Sequence, residues 1–290
     1  MDGGRAAEGR DQRGHRDRQE VRHQGVEPVH QRLARSHPQR TPSDVLSCPV
    51  RYAVLSDIHA NLEALQAVLA DAAPRTDATL CLGDLVGYGA DPVACIEIVA
   101  EKAQAIVSGN HEHAVVGLID LEWFNVHARA AAEWTRERLD DDHRTYLASL
   151  PLVAELGDAT LVHASPDRPD EWEYLLTAQD GFDAFSAFAT RLCFVGHSHL
   201  AGTWSLGSSG PEHRVGAVDI ELERGRRYLV NVGSVGQPRD RDPRAAYAIW
   251  DVEHSTISIR RVVYDVERAR EKILRGGLPR FLADRLAWGS

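Results

Sequence analysis

Side chains that can bind metal ions follow five separate apolar runs of this 290-residue chain. They are Asp57 and His59, Asp84, Asn110 and His111, His163, and His197 and His199. One D-x-H triplet is common in surface loops, but five apolar runs that end in the same way are hard to obtain by chance. The set offers oxygen and nitrogen atoms and no thiolate, which suits borderline or hard divalent ions.

These ligands are too numerous for one tetrahedral ion, and a carboxylate is available to bridge two ions. Two ions about 3.5–4 Å apart can clamp a phosphoryl group and lower the pKa of a bridging water to about neutrality. The pattern therefore predicts a binuclear metal centre suited to phosphate chemistry. Mn²⁺ is our preferred metal, with Fe, Zn or Ni as alternatives.

The elements that position these side chains alternate between strands and helices. The expected strands are 50–55, 78–82 and 105–107, and the expected helices are 61–72, capped by Asn61, and 92–103, begun by Pro92. An extended backbone at the end of the first strand points Asp57 and His59 to the same side. This βαβ series predicts a layered α/β fold whose strand ends carry the site.

The second half of the chain is expected to be rich in β-structure after a helical insertion. Residues 119–150 are amphipathic and predict a helical cap, with six expected anchors: Trp123, Phe124, Trp134, Leu139, Tyr146 and Leu147. His127 in this insertion fits a surface or core position better than a substrate contact. Further strands are expected at 152–156, 160–162, 193–195, 202–206, 215–222, 228–230, 246–251 and 256–264, and helices at 179–190, 267–275 and 280–288.

Residues 1–49 differ in kind from the rest, because they are rich in Arg, Gln, Gly and His and lack periodic apolar residues. Such a segment buries too little surface to offset its ordering entropy, so we expect disorder or weakly docked coil. Met1 is the single methionine of the chain, and patterned sequence begins at Val50. Two hypotheses stay open: a flexible tail, or a mis-called extension of a protein that starts at Val50. The folded domain is expected to span 50–290.

Composition narrows the class of protein and of partner. Hydrophobic residues make up 43% and charged residues 26%, as in ordinary globular proteins. No apolar run reaches the roughly 18 residues of a membrane helix, and no signal-peptide core is evident, so we expect a cytoplasmic protein without membrane contact. The net charge of −10 argues against extended nucleic-acid binding but allows a small phosphate ester. The four cysteines lack C-x-x-C spacing, and the oligomeric state is left open.

The ordered blocks D-x-H, G-D-x-x-x-x-G, G-N-H-E, a lone His and G-H-x-H resemble the calcineurin-like metallophosphoesterase superfamily over about 50–264. The resemblance implies a four-layer α/β/β/α sandwich with a dimetal centre at the strand ends. It also implies in-line attack on phosphorus by a metal-bridging hydroxide. By motif, Asp57, His59 and His199 would hold the first ion. Asp84 would bridge, and the second ion would be held by Asn110, His163 and His197.

The same resemblance implies that His111 lies beside the phosphate and stabilises the transition state or protonates the leaving group. Gly87 and Tyr88 stand where protein phosphatases carry a phosphate-binding arginine, which argues against that branch. The segment from Asn231 to Arg239 resembles the N-P-G-S block of the small bacterial phosphodiesterases, although Val232 replaces the usual proline.

Gly233 and Ser234 of this block are expected to close the site. The candidate substrate contacts are Asn110, His111 and Arg239, and the candidate catalytic residues are His111 and Asp84. A phosphodiesterase is therefore the leading interpretation. The alternatives are a phosphomonoesterase or nucleotide phosphatase on the same site, a nuclease, and a non-catalytic scaffold of the same fold.

Overall fold

The computed structural model describes residues 51–290, which form two six-stranded sheets packed face to face. Within this range there are twelve strands: β1 Arg51–Leu55, β2 Ala78–Cys81, β3 Ala103–Ile106, β4 Val153–Leu156, β5 Ala159–Val162, β6 Leu192–Val195, β7 Gly202–Gly207, β8 Gly210–Val215, β9 Asp219–Glu221, β10 Arg227–Asn231, β11 Ala245–Asp251 and β12 Thr256–Val262. The hypotheses about residues 1–49 lie outside the described residues.

Each sheet contains three adjacent parallel strands and three antiparallel ones, and the parallel triplet of the first sheet lies at its edge. The first sheet has the order β3-β2-β1-β11-β12-β9, in which β1, β2 and β3 run parallel. The second has the order β4-β5-β6-β10-β7-β8, in which β5, β6 and β10 run parallel. Because the carboxyl ends of parallel strands meet at one edge, each sheet gathers three strand-end loops.

Helices cover the outer faces of both sheets. The described helices are α1 Leu62–Ala72, α2 Pro92–Lys102, α3 Asn110–Val116, α4 Val126–Arg136, α5 Asp141–Ala148, α6 Ala178–Ala184, α7 Val266–Arg275 and α8 Arg280–Leu286. Asn61 caps α1 by accepting a hydrogen bond from the backbone N–H of Ala64 at 3.1 Å. None of these described helices has the length and apolarity needed to cross a membrane.

Three apolar clusters separate the layers. One lies between the sheets and includes Val54, Leu80, Phe194 and Trp250. A larger one joins the first sheet to most of the helices. The third joins the second sheet to α6 and the segment that follows it. This order of layers confirms the expected α/β/β/α sandwich.

The structure corrects four details of the sequence reading. Asn110 and His111 lie in the first turn of α3 and not in a loop. Trp123 is 88% exposed, so it is not a core anchor. The expected strand 215–222 is split between the two sheets, because Gly216 takes a φ of +96° that ends β8 before β9 begins. Helix α6 ends at Ala184 and not near 190.

Candidate metal centre

The predicted ligands converge at the edge where the carboxyl ends of the two parallel triplets meet. Asp57 and His59 follow β1, Asp84 follows β2, and Asn110 follows β3. From the second sheet, His163 follows β5, and His197 and His199 follow β6. All the carboxylates and histidines of this set are buried. The site therefore draws ligands from both sheets and forms only when the sandwich is assembled.

Two groups of ligand atoms share one carboxylate. The first contains Asp57, His59, Asp84 and His199, and the second contains Asp84, His163 and His197, with all ligand atoms of a group within 4.8 Å of one another. The Oδ2 atom of Asp84 lies 3.6 Å from Nε2 of His59 and 3.3 Å from Nε2 of His163. A carboxylate placed between two groups in this way fits a bridging ligand.

Backbone carbonyls fix which nitrogen of three histidines faces the centre. Nδ1 of His59 lies 3.0 Å from the carbonyl of Val86, and Nδ1 of His163 lies 2.8 Å from that of Leu82. Nδ1 of His199 lies 2.6 Å from the carbonyl of Gln237. A carbonyl only accepts, so each Nδ1 carries the proton and each Nε2 presents a lone pair to the centre.

The donor set fits divalent cations. Nε2 of His59 and Nε2 of His199 lie 3.1 Å apart with both lone pairs directed inward. The Oδ1 atoms of Asp57 and Asn110 are buried and have no hydrogen-bond partner among the described residues. Converging lone pairs and unpartnered oxygens are costly without positive charge between them, and a cation supplies it.

Contacts between carboxylates and imidazoles shift the pKa values of the clustered side chains. Burial alone would raise the pKa of Asp57, but the facing imidazole of His199 holds it well below its usual value. The pKa of Asp84 is also lowered: burial alone would raise it, but the nearby His163 lowers it by more. Burial would lower the pKa of His163, but the carboxylate of Asp84 raises it to about 9, so without a cation Nε2 would hold a second proton that a bound metal ion would replace. Both aspartates are thus ionised ligands at neutral pH.

The backbone at the ligands is held in a sparsely populated conformation. Five ligands have positive φ angles between 49° and 64°: Asp57, His59, Asp84, His197 and His199. Left-handed backbone costs a non-glycine residue about 1–2 kcal/mol. Strain of this kind persists only where the surroundings over-determine it, and it clusters at functional sites.

Glu112 is a structural support that the sequence reading left without a role. Its Oε2 accepts from the backbone N–H groups of Asp84 at 2.7 Å and Gly109 at 2.8 Å. Its Oε1 accepts from those of Leu85 at 2.8 Å and Val86 at 3.2 Å. Burial and the nearby Asp84 carboxylate raise the pKa of Glu112 to about 7. One buried carboxylate therefore joins the loops after β2 and β3.

The segment from Asn231, the last residue of β10, to Arg239 supports the loops that carry Asp57 and His197. The hydroxyl of Ser234 donates to the carbonyl of Asp57 at 2.8 Å, and the side chain of Asn231 donates to the carbonyl of Gly196 at 2.7 Å. Neither Gly233 nor Ser234 lines the cavity described below. The expectation that they close the site stays a prediction, and the contact that the structure shows is that of Ser234 with the backbone of Asp57.

A family model for the calcineurin-like phosphoesterase superfamily domain matches residues 50–255. This chain belongs to the calcineurin-like phosphoesterase superfamily. It is 40% identical over 242 residues to an uncharacterized protein of Methanocaldococcus jannaschii, which covers 82% of this chain and 97% of that protein.

Two solved structures are similar to this chain. A metallophosphoesterase from Sphaerobacter thermophilus is 41% identical, superposes with a TM-score of 0.74, and covers 84% of this chain and 100% of that chain. A hypothetical protein from Pyrococcus horikoshii OT3 shares the fold at 22% identity, with a TM-score of 0.67 over 83% of this chain and 99% of that chain. The family match and the buried Asp and His cluster together support a hydrolase that binds metal.

The metal centre of this phosphoesterase opens into a cavity of about 600 Å³. His111 lines this cavity. Its Nδ1 atom is buried and packs so closely on Gly87 that a Cβ added to Gly87 would lie 2.2 Å from it. Burial lowers the pKa of His111 to about 3, against the opposing effect of Asp84, so the ring is neutral at pH 7. Arg239 also lines the cavity, and its guanidinium lies 3.4 Å from the hydroxyl of Tyr88.

The structure brings the predicted metal ligands together and places His111 and Arg239 in the wall of the adjoining cavity. The cavity lining includes Asp84, Asn110, His111, His197, His199 and Arg239. His127 is outside it and stacks on Phe281 at 4.5 Å. Three residues at the site were not predicted from the sequence. Glu112 could have been found, because it belongs to the G-N-H-E block. Trp172 and Tyr174 belong to no motif.

Proposed function

We propose that this protein hydrolyses phosphodiesters at a centre of two divalent metal ions. The observation that carries the proposal is the position of Asp84, whose Oδ2 lies between His59 and His163 at 3.6 and 3.3 Å and so belongs to both ligand groups. One shared carboxylate, with imidazoles on both sides, is the arrangement that two adjacent ions require.

Each ion would take ligands from both sheets. Asp57, His59, Asp84 and His199 would hold the first, and Asp84, Asn110, His163 and His197 the second. When bound, two such ions supply charge that stabilises the phosphoryl oxygens and acidify a water to near neutrality. Mn²⁺ remains our preferred metal for this donor set of nitrogen and oxygen.

Two side chains of the cavity would act on the ester itself. His111 is neutral and its Nδ1 is buried against Gly87, which leaves Nε2 available to the bound ester. With its proton on Nε2, the neutral ring of His111 would donate an N–H hydrogen bond to the departing oxygen and stabilise its developing charge. Arg239 would contact a phosphoryl oxygen, since Tyr88 and Gln237 hold its guanidinium at 3.4 and 3.1 Å.

A diester is favoured over a monoester by the charge of the cavity. Among the lining residues, Arg239 is the one lysine or arginine, whereas Asp120, Asp170 and Glu171 bring negative charge. A diester carries one negative charge and a monoester nearly two at neutral pH. Both esters would be attracted by the metal ions, so these carboxylates act on the part of the ester outside the centre, where a neutral organic group is tolerated better than a second anionic oxygen. The resemblance of the block after β10 to small phosphodiesterases points the same way.

The test compares bis(4-nitrophenyl) phosphate with 4-nitrophenyl phosphate in the presence of Mn²⁺. We expect the higher kcat/KM on the diester. The variant His111→Ala should keep its metal content and lose about 10²–10⁴-fold in kcat. The control His127→Ala removes a histidine outside the cavity and should leave turnover unchanged. A wild-type protein that holds two ions and hydrolyses neither ester would indicate a scaffold instead.

A further inference from the structure

Two chain segments bring aromatic rings to the mouth of the cavity. The first, Ile119–Asn125, follows α3 and contributes Trp123 and Phe124. The second, Asp170–Tyr174, follows β5 and contributes Trp172 and Tyr174. We call these two segments the aromatic rim. They belong to no motif of the metal centre.

The rings of the aromatic rim extend from the metal ligands to solvent. Tyr174 stacks on His197 with ring centroids 4.1 Å apart, and Phe124 meets the ring of His111 edge-on at 5.2 Å. At the outer end, Trp123 is 88% exposed and Tyr174 is 49% exposed. Large aromatic surfaces left open beside a buried site offer apolar area to a bound ligand.

Carboxylates accompany these rings on both segments. Asp120 on the first, and Asp170 and Glu171 on the second, line the same cavity. Carboxylates accept hydrogen bonds and do not donate them. A ring that enters this space is therefore recognised best through N–H donors on its edge, in the way that Asp or Glu accepts from the amino group of cytosine.

The second segment is held in a defined shape. Arg168 and Trp172 have φ angles of 49° and 57°, on either side of a single 3-10 turn, Pro169–Glu171. Arg168 forms ion pairs with Glu171 and, at 3.0 Å, with Glu173. The indole of Trp172 packs edge-on toward His163, with centroids 6.1 Å apart. Strained backbone fixed by local pairs is typical of a pre-arranged binding loop.

We propose that the aromatic rim selects phosphodiesters whose organic group is a flat, nucleobase-type ring that carries an exocyclic amino group. The rings would stack on the face of the base, and Asp120 and Asp170 would accept from its amino group, since Glu171 is paired with Arg168. This inference rests on the proposed phosphodiesterase function and names the class of substrate for that site.

The experiment compares the 5′-(4-nitrophenyl phosphate) esters of cytidine and uridine, which differ at the base in an amino group against a carbonyl. We expect the wild-type protein with Mn²⁺ to favour the cytidine ester by about tenfold in kcat/KM, the discrimination that one good base contact gives. In Asp120→Asn/Asp170→Asn the ratio should fall to about one, because an amide both donates and accepts. Trp172→Leu should raise KM for both esters by a similar factor and keep the ratio.

The matched control is Glu155→Gln, which removes an exposed carboxylate from β4 outside the cavity and should leave the ratio unchanged. Methyl 4-nitrophenyl phosphate, which has no base, reports the chemistry alone. If the wild-type protein hydrolyses the methyl ester and treats cytidine and uridine esters alike, the inference is overturned while the proposed function stands. If it hydrolyses no diester, both are overturned. A ratio that survives the double substitution also overturns the assignment to these carboxylates.

Discussion

The Nε2 atoms of His59 and His199 face each other across 3.1 Å, while the Nδ1 atom of each ring donates to a backbone carbonyl. Neither Nε2 carries a proton in this arrangement, so the pair cannot form a hydrogen bond with each other. Asp57 brings an ionised oxygen within 3.2 Å of the same His199 nitrogen. A cation between these atoms would relieve the facing lone pairs, so we expect metal binding to stabilise the folded state.

Removal of metal should therefore lower the melting temperature. Chelation followed by dialysis is expected to destabilise the protein. Adding Mn²⁺ at about 100 times its Kd should raise the free energy of unfolding by about 2.7 kcal/mol. Differential scanning calorimetry measures the shift. Asp57→Ala is the control, because its melting temperature should respond much less to added Mn²⁺. Equal melting temperatures with and without metal in the wild-type protein would contradict the account.

Glu112→Gln should weaken both the fold and the centre. The carboxylate of Glu112 accepts hydrogen bonds from four backbone N–H groups, two on each oxygen. In glutamine an amide nitrogen replaces one of these oxygens, so two N–H groups lose their acceptor. We expect a loss of about 2–4 kcal/mol in the free energy of unfolding, from about 1–3 kcal/mol per unpaired buried donor. Urea unfolding measures it. Glu101→Gln on the exposed face of α2 is the control, and an equally small effect in both variants would refute the role.

Gly109→Ala should displace Asp84, the shared ligand, because the new Cβ would lie 2.6 Å from the backbone nitrogen of Asp84 as well as against its side chain. Gly109 has a φ of −103°, which any residue adopts, but a Cβ there would lie 2.2 Å from Oδ1 of Asp84. We expect reduced metal content measured by mass spectrometry of the bound ions. Gly157→Ala is the contrasting variant: its Cβ meets no atom within 4 Å, and its φ of +58° costs about 1–2 kcal/mol. It should keep its metal, and loss of metal in both variants would show a general folding defect.

Asp71 is expected to stabilise the protein in a way that depends on pH. Burial would raise its pKa, but hydrogen bonds from Arg260 at 2.9 Å and Tyr247 at 2.7 Å hold it below the usual value. A lowered folded-state pKa gives stability that is present above the unfolded pKa of about 3.9 and is lost as pH falls through the folded value. Asp71→Asn should cost about 1 kcal/mol at pH 7 and progressively less below pH 4.

Urea unfolding of both proteins in the presence of chelator checks this, because the metal centre then contributes equally to each. A difference between the two proteins that grows toward acid would have the wrong sign and would remove Asp71 from the account.

The sequence predicted the fold class and the convergence of the ligands because both follow from local pattern. Apolar runs predict strands, and polar residues at their ends meet when the strands are parallel. The ligand pairing was taken from family resemblance, and the positions of Asp84 and His163 agree with it in geometry. Trp123 escaped prediction because an exposed indole and a core indole have the same local pattern. The split at Gly216 depended on one φ angle, and the aromatic rim depended on loop geometry that no periodicity encodes.

The central claim is that two metal ions share the carboxylate of Asp84. Anomalous diffraction from crystals grown with Mn²⁺ tests it most directly, because each ion gives its own peak. The account predicts two peaks, one among Asp57, His59, Asp84 and His199, and one among Asp84, Asn110, His163 and His197. A single peak, or two peaks that do not share Asp84, would contradict it.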